Sequence, residues 1–309
     1  MAFQLPNVEN LKNYYLDPER SRIFNFNPNI SFLDESYQKS IPKLLKALKI
    51  MDVLFLIQDH PQSLELREYL VKEINFGNKD AEIALKVFNI FNGPEGITYD
   101  NNKEMLFPGI IERPKGGTLY DETISVEEFD EYIKENPDVS EDFNKFNTII
   151  KKENGKLISI PYEIKYRNHL HEASKLLSEV AEIVSDKNFS LYLKAKSKSL
   201  ISGNYFDSDV TWIKSITSPI DLVIGPLEVY EDTLMSKKAF YGGALLVKNV
   251  EESLRVEKYI EHLQELENAL PNSLKFGKDI KKINVPVAVV DILYMVGEYQ
   301  ANRPGIVVG

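Results

Sequence analysis

Glu228 and Tyr230, two residues apart, are the pair in this sequence best suited to gripping two neighbouring groups of one ligand. A carboxylate pairs with an ammonium, and a phenol can donate to an oxygen that is gaining negative charge. Both lie in residues 217–232, an apolar run bounded by Ser218-Pro219 and Glu231-Asp232, with β-branched Ile220, Val223, Ile224 and Val229 inside it. That length and composition predict a strand. Alternation along it places Leu222, Ile224, Glu228 and Tyr230 on one face and Val223, Leu227 and Val229 on the other, with Glu228 and Tyr230 about 6.5 Å apart along the backbone. Pro226 cannot donate to a ladder and Gly225 marks a bulge or close approach, so the strand is expected to be kinked or at an edge. An edge beside a cleft can take up an extended peptide by strand addition. By composition alone, the solvated end of an amphipathic strand is the favoured account of the two residues. Glu228 with Asp232 is a further option, as the paired carboxylates of a hydrolase, although spacing does not establish that geometry.

The elements that must position this strand are mostly helical. Ile41, Leu44, Leu45, Leu48, Met51 and Leu54 recur at helical spacing up to Asp59-His60-Pro61, and further helices are expected over 63–77 and 81–91. Residues 96–120 change character, with Ile97-Thr98-Tyr99, Leu106 to Ile111 and Pro114 to Gly117 reading as the short strands and turns of a small sheet, and Gly116-Gly117 as a turn. Ser125-Val126-Glu127-Glu128 is a capping box, 157–160 is a strand, and the longest helix is expected from Pro161 to about Ser185. Another helix spans 189–201, capped by Gly203, with Lys194, Lys196 and Lys198 read as a solvated face. A charged helix follows over 251–270 and a buried strand over 285–296. Residues 1–32 show no sustained period and read as irregular. Trp212 is read as a core anchor or the wall of a cleft. The mixture predicts an α+β chain.

Composition excludes several classes of function. A net charge of −10 and a pI near 5.1 argue against a groove that tracks phosphates, so no nucleic-acid partner is expected. The absence of cysteine removes disulfides, thiolate catalysis and cysteine-based metal sites. The apolar stretch from Ile50 to Ile57 contains Asp52 and is far short of the ~20 residues that cross a bilayer, so no membrane partner is expected. The amino terminus lacks a basic segment followed by an apolar core, and a cytoplasmic setting is expected.

The segments Ser218-Pro219-Ile220-Asp221, Ile224-Gly225-Pro226-Leu227-Glu228-Val229-Tyr230-Glu231-Asp232 and Ala301-Asn302-Arg303-Pro304-Gly305 resemble the dipeptidyl-peptidase III family of zinc exopeptidases, in its bacterial form. The resemblance runs along most of the chain. It implies that Glu228 binds the free amino terminus of a peptide and that Tyr230, as the catalytic phenol, hydrogen-bonds the scissile carbonyl. It further implies helices packed around a small β-barrel-like sheet, forming one lobe of a two-lobed metallopeptidase. On this reading residues 1–250 make the peptide-binding lobe, 251–284 a helical excursion toward a zinc-bearing lobe, and 285–309 an incomplete returning strand. The expected partners are short peptides and that second lobe.

The family's zinc motifs, His-Glu-x-x-Gly-His and Glu-Glu-x-x-Ala-(Glu or Asp), do not occur, so no metal ligands are expected in this chain. His171-Glu172 is followed by Lys175 and Leu176 where glycine and histidine should stand, and His60, His169 and His262 lack partners at ligand spacing. The acidic pairs Glu127-Glu128 and Glu251-Glu252 read as solvated faces, and Asp207 with Asp209 falls short of a calcium loop. Zinc is expected only in the full-length family. The sequence therefore points to the substrate-binding part of an exopeptidase, inactive by itself, with a non-catalytic peptide-binding protein as the alternative.

Overall fold

The computed structural model describes residues 3–19, 27–98, 100, 102–271 and 287–301. The Asn302-Arg303-Pro304-Gly305 part of the resemblance lies outside them, as do residues 272–284 of the expected excursion and 285–286 and 302–309 of the expected last strand.

The centre of the molecule is α2 (Glu35–Asp59). Asp34 caps it by accepting from the N–H groups of Ser36 and Tyr37. Pro42 costs such a helix about 3 kcal/mol, but Leu44, Leu48, Met51 and Leu54 are fully buried, each at roughly 1.5–3 kcal/mol, which decides for the helix. One side of α2 packs on α8 (Arg167–Ala181), followed by α9 (Lys187–Ser202) and α10 (Phe206–Lys214). On another side it meets the main sheet, whose strands run in the order β5 (Ile220–Glu228), β6 (Phe240–Lys248), β7 (Val290–Gly297), all antiparallel. The helices α3 (Ser63–Asn75) and α4 (Lys79–Phe91) pack on each other, and α3 also packs on α2.

Two smaller hairpins complete the described strands, β1 (Glu95–Ile97) with β2 (Lys103–Met105) and β3 (Thr148–Glu153) with β4 (Lys156–Pro161). Between them lie α5 (Val126–Glu135), capped by Ser125 as its box predicts, and the short α6 (Ser140–Asn144). Among the described residues the strands thus form one three-stranded and two two-stranded sheets, a mixed helix and sheet architecture, and no closed barrel.

Several expectations are corrected. Residues 1–32 are not wholly irregular, because α1 (Val8–Tyr15) is capped by Asn7 and buries Leu11 and Tyr15. Leu106 to Ile111 forms no strand, since Pro108-Gly109 interrupts the ladder. The stretch after Pro161 breaks into α7 (Tyr162–Lys165) and α8, and α2 is the longer helix. Lys196 is not solvated, its side chain being only 6% exposed. Residues 194 and 198, four apart, share the outer side, while the i, i+2 step turns Lys196 inward. Trp212 sits on α10, 38% exposed, and donates from Nε1 to Asp221 Oδ1 at 2.8 Å, so it is not a core anchor.

Beyond β6, α11 (Val250–Glu261) and α12 (Leu263–Ala269) carry the charged stretch as two helices. The last described element is α13 (Glu298–Ala301), packed on β6, β7 and α4.

A candidate ligand site at the end of the sheet

Strand β5 is an edge strand, as Gly225-Pro226 predicts, and it bulges. Pro226 pairs with Tyr241, but the next pair is Glu228 with Phe240, so Leu227 is the extra residue. Gly225 carries φ +139, a conformation open to glycine and strained for residues with a side chain. Paired residues of an antiparallel ladder project to the same side. Leu222, Ile224 and Pro226 therefore share a face with Leu245, Gly243 and Tyr241, whereas Glu228 shares the opposite one with Asp221, Val223 and Phe240. The expected grouping of Glu228 with Leu222 and Ile224 fails because one inserted residue reverses the parity.

The strand ends at Glu228, and Tyr230 stands in the following turn, 69% exposed. Strand alternation thus does not fix the relation between the two. A cavity of about 240 Å³ beside β5 is lined by Gly225, Pro226, Leu227 and Val229 together with Tyr205 and Lys196; neither Glu228 nor Tyr230 lines it. Among the described residues neither the Glu228 carboxylate nor the Tyr230 hydroxyl has a hydrogen-bond partner. Their polar groups are available to a ligand.

The next two residues are the reverse, buried and fully engaged. Glu231 is 4% exposed and accepts from Lys103 at 2.7 Å, while Arg113 lies 3.3 Å from its carboxylate and donates to its backbone carbonyl at 2.9 Å. Arg113 also donates to Asp59, the last residue of α2, at 2.6 Å. Burial alone would lower the Arg113 pKa, but the Asp59 and Glu231 carboxylates more than offset it and hold it above its ordinary value. Glu95 of β1 faces the same group, and burial raises its carboxyl. Asp232 is fully buried and accepts from the Tyr120 hydroxyl at 2.7 Å and from the N–H groups of Leu234, Met235, Lys237 and Lys238 at 2.8–3.2 Å. Burial and then Asp232 raise the Tyr120 phenol well above its usual range. Every acceptor of Asp232 is in use, which removes the Glu228 and Asp232 pair as hydrolytic carboxylates.

Sequence reasoning missed Arg113, Asp59, Lys103 and Glu298, because buried charges that meet from distant segments leave no local period. The run of two further acids, Glu231-Asp232, beside Glu228 was the one available signal. The histidines contribute no metal site. His60 caps α2, with Nε2 3.0 Å from the Ile111 carbonyl and Nδ1 accepting from the Gln62 N–H, and burial lowers its pKa. His171 is exposed, and exposed His262 pairs with Glu265. Among the described residues no three His, Asp or Glu side chains stand together as ligands would. These residues do not fit a zinc ion.

Comparison with solved structures shows what this arrangement resembles. Dipeptidyl-peptidase III from Caldithrix abyssi superposes with a TM-score of 0.82 at 29% identity, over 91% of this chain and 52% of that one. The chain is dipeptidyl-peptidase III-like. The same enzyme from Corallococcus sp. strain EGB superposes at 0.79 with 26% identity, over 95% of this chain and 53% of that one. Among curated proteins, Nudix hydrolase 3 of Arabidopsis thaliana is 24% identical over 319 aligned positions, covering 88% of this chain and 41% of that protein. No protein-family model matches. The chain spans about half the length of the dipeptidyl-peptidase III structures and less than half of the plant relative. Among the described residues no helix is long and apolar enough to cross a membrane.

Proposed function

We propose that this chain is the peptide-binding, zinc-free lobe of a dipeptidyl-peptidase III-like exopeptidase, which releases dipeptides from the amino termini of short peptides. What carries the reading is that Glu228 and Tyr230, the residues matching the family's Gly-x-x-Glu-x-Tyr motif, keep their polar groups free on a segment whose next two residues are locked. A rigid backbone with open side chains is a binding arrangement that loses little entropy on capture. Glu228 pairs with the peptide's α-ammonium, a charge-assisted contact. Tyr230 donates to the scissile carbonyl oxygen and strengthens that bond as negative charge develops there.

Binding and orientation are what the residues of this chain can supply. Zinc, when present in a complete enzyme, supplies Lewis-acid activation of water and carbonyl; its ligands would come from a second lobe, toward which residues 251–284 would reach. The lobe would then span 1–250, with 285–309 returning to its sheet, in a cytoplasmic protein. The chain alone should not hydrolyse peptides.

Calorimetry with a tripeptide, on the wild type and on Glu228→Gln, tests the reading, together with a peptidase assay run with and without a chelator. Binding lost in Glu228→Gln supports the assigned role and shows that the lobe captures peptides unaided, as a non-catalytic peptide binder would. Binding equal in the two proteins sinks the role of Glu228. Chelator-sensitive cleavage by the purified chain overturns its assignment as a zinc-free lobe.

A further inference from the structure

A third acid lies against the segment that carries Glu228 and Tyr230. Glu298 is the first residue of α13 and is 1% exposed. Its place follows from Gly297, at φ +63, where a Cβ would stand 2.3 Å from the Tyr241 carbonyl oxygen. Glu298 Oε1 accepts the Glu231 N–H at 3.3 Å, the Glu228 N–H also faces the carboxyl, and Oε2 has no partner among the described residues. Residues 228 and 231 bracket Tyr230, so the carboxyl holds one end of the candidate grip and lies close to the other.

We infer that Glu298 is a positioning residue of the peptide site, whose buried carboxyl holds the backbone of Glu231 and, through it, the turn that carries Tyr230. The inference rests on the peptide-binding reading for its purpose, though not for its geometry. Burial pushes this acid up to about 9, the Glu231 N–H opposing, while the Glu231 and Glu228 carboxylates add to the rise. Other charged groups near it are Arg113 and Lys103, both on Glu231, and Asp52 of α2, which accepts the Gly297 N–H at 3.4 Å and pairs with Arg67. From β6 comes Tyr241, and from α4 the uncharged Asn89, whose carbonyl accepts from Gln300. At neutral pH Glu298 is therefore neutral, and Glu228 presents its charge to an ammonium with the brace in place. Once Glu298 ionises, a third negative charge joins Glu228 and Glu231, and repulsion loosens the brace.

A peptide's own amino group loses its proton near ~8, so the pH response is read without peptide. The amide resonances of Glu228 and Glu231 should move with a midpoint near 9 in the wild type and lose that step in Glu298→Gln. A step that persists in Glu298→Gln, or no step in the wild type, overturns the inference. At pH 7, Glu298→Gln should bind the tripeptide as the wild type does, because the amide replaces the neutral acid, whereas Glu298→Leu should bind about tenfold more weakly. Equal binding by Glu298→Leu also overturns it. If the wild type binds no tripeptide, that result bears on the proposed function, and the amide titration alone decides the role of Glu298.

Discussion

Two buried cations lie close to the turn after β5, and the protein accommodates them in opposite ways. Arg113 is matched by carboxylates, those of Asp59 and Glu231, with Lys103 sharing the latter. Lys238 is fully buried and donates to neutral acceptors, the carbonyls of Phe143 and Lys145 and the hydroxyl of Thr148, all at 2.7 Å. Burial pulls Lys238 down to about 7, against the pull of Asp232, while Arg113 stays above its ordinary value. When protonated, the lysine has all three donors on the segment before and at the start of β3, and leaves nothing for a ligand. The arginine network fastens one side of its turn and leaves Glu228 and Tyr230 open beside it. The lysine region is an anchor alone, and the arginine region is an anchor with two open polar side chains, the proposed grip, beside it.

The largest effect should come from breaking the ionic network. Arg113→Met leaves the buried Asp59 carboxylate without its cation and Glu231 with Lys103 alone, and should cost about 3–5 kcal/mol of stability in urea unfolding; a loss under ~1 kcal/mol would mean that the network is far wetter than its burial implies. Next, Glu228→Gln should weaken tripeptide binding by about 1.5–3 kcal/mol while its unfolding stays within about 0.5 kcal/mol of wild type. That split separates grip from anchor, and a variant that unfolds easily would erase the distinction.

Lys238→Met should cost about 1–3 kcal/mol at pH 9, since buried acceptors lose the amine that donates to them. The sign of the pH response also tells the regions apart. With a pKa of about 7 folded against 10.5 unfolded, Lys238 holds fewer protons in the native state between those values. Its contribution rises with pH across that window and is fully present above it. For Glu298, 4.5 unfolded against about 9 folded gives the reverse, a contribution fully present below 4.5 and lost as pH climbs toward 9. Stability profiles of Lys238→Met and Glu298→Gln should therefore depart from wild type with opposite slopes between pH 7 and 9, and parallel departures would refute the contrast. The smallest effect is expected for Tyr230→Phe, which should leave unfolding within about 0.5 kcal/mol and weaken tripeptide binding by about 0.5–1.5 kcal/mol.

Much of the frame was legible because its signals are local. The apolar period of residues 41–54, the Ser125 capping box and the Gly203 cap each predict an element that forms, and Gly203 adopts φ +72 as a helix-ending glycine does. Gly225-Pro226 marked β5 as a bulged edge strand. The same reading went wrong where one residue changes parity. Leu227 is an ordinary strand residue in composition, and only its pairing partner reveals that it is the extra one. Likewise Lys194, Lys196 and Lys198 look equivalent in the sequence, and only α10 packed against α9 sets the middle one apart.

Sequence by itself determined most of the helices, the kinked strand, the lack of cysteine chemistry and the neighbouring carboxylate and phenol proposed to hold a peptide, since periodicity, backbone restriction and functional-group chemistry are properties of neighbouring residues. Tertiary structure alone decided which charges are buried together and which stay open. Arg113, Asp59, Glu231 and Glu298 come from separated segments, and their protonation and hold on one another depend on exclusion of water, which exists only once the chain has closed around them.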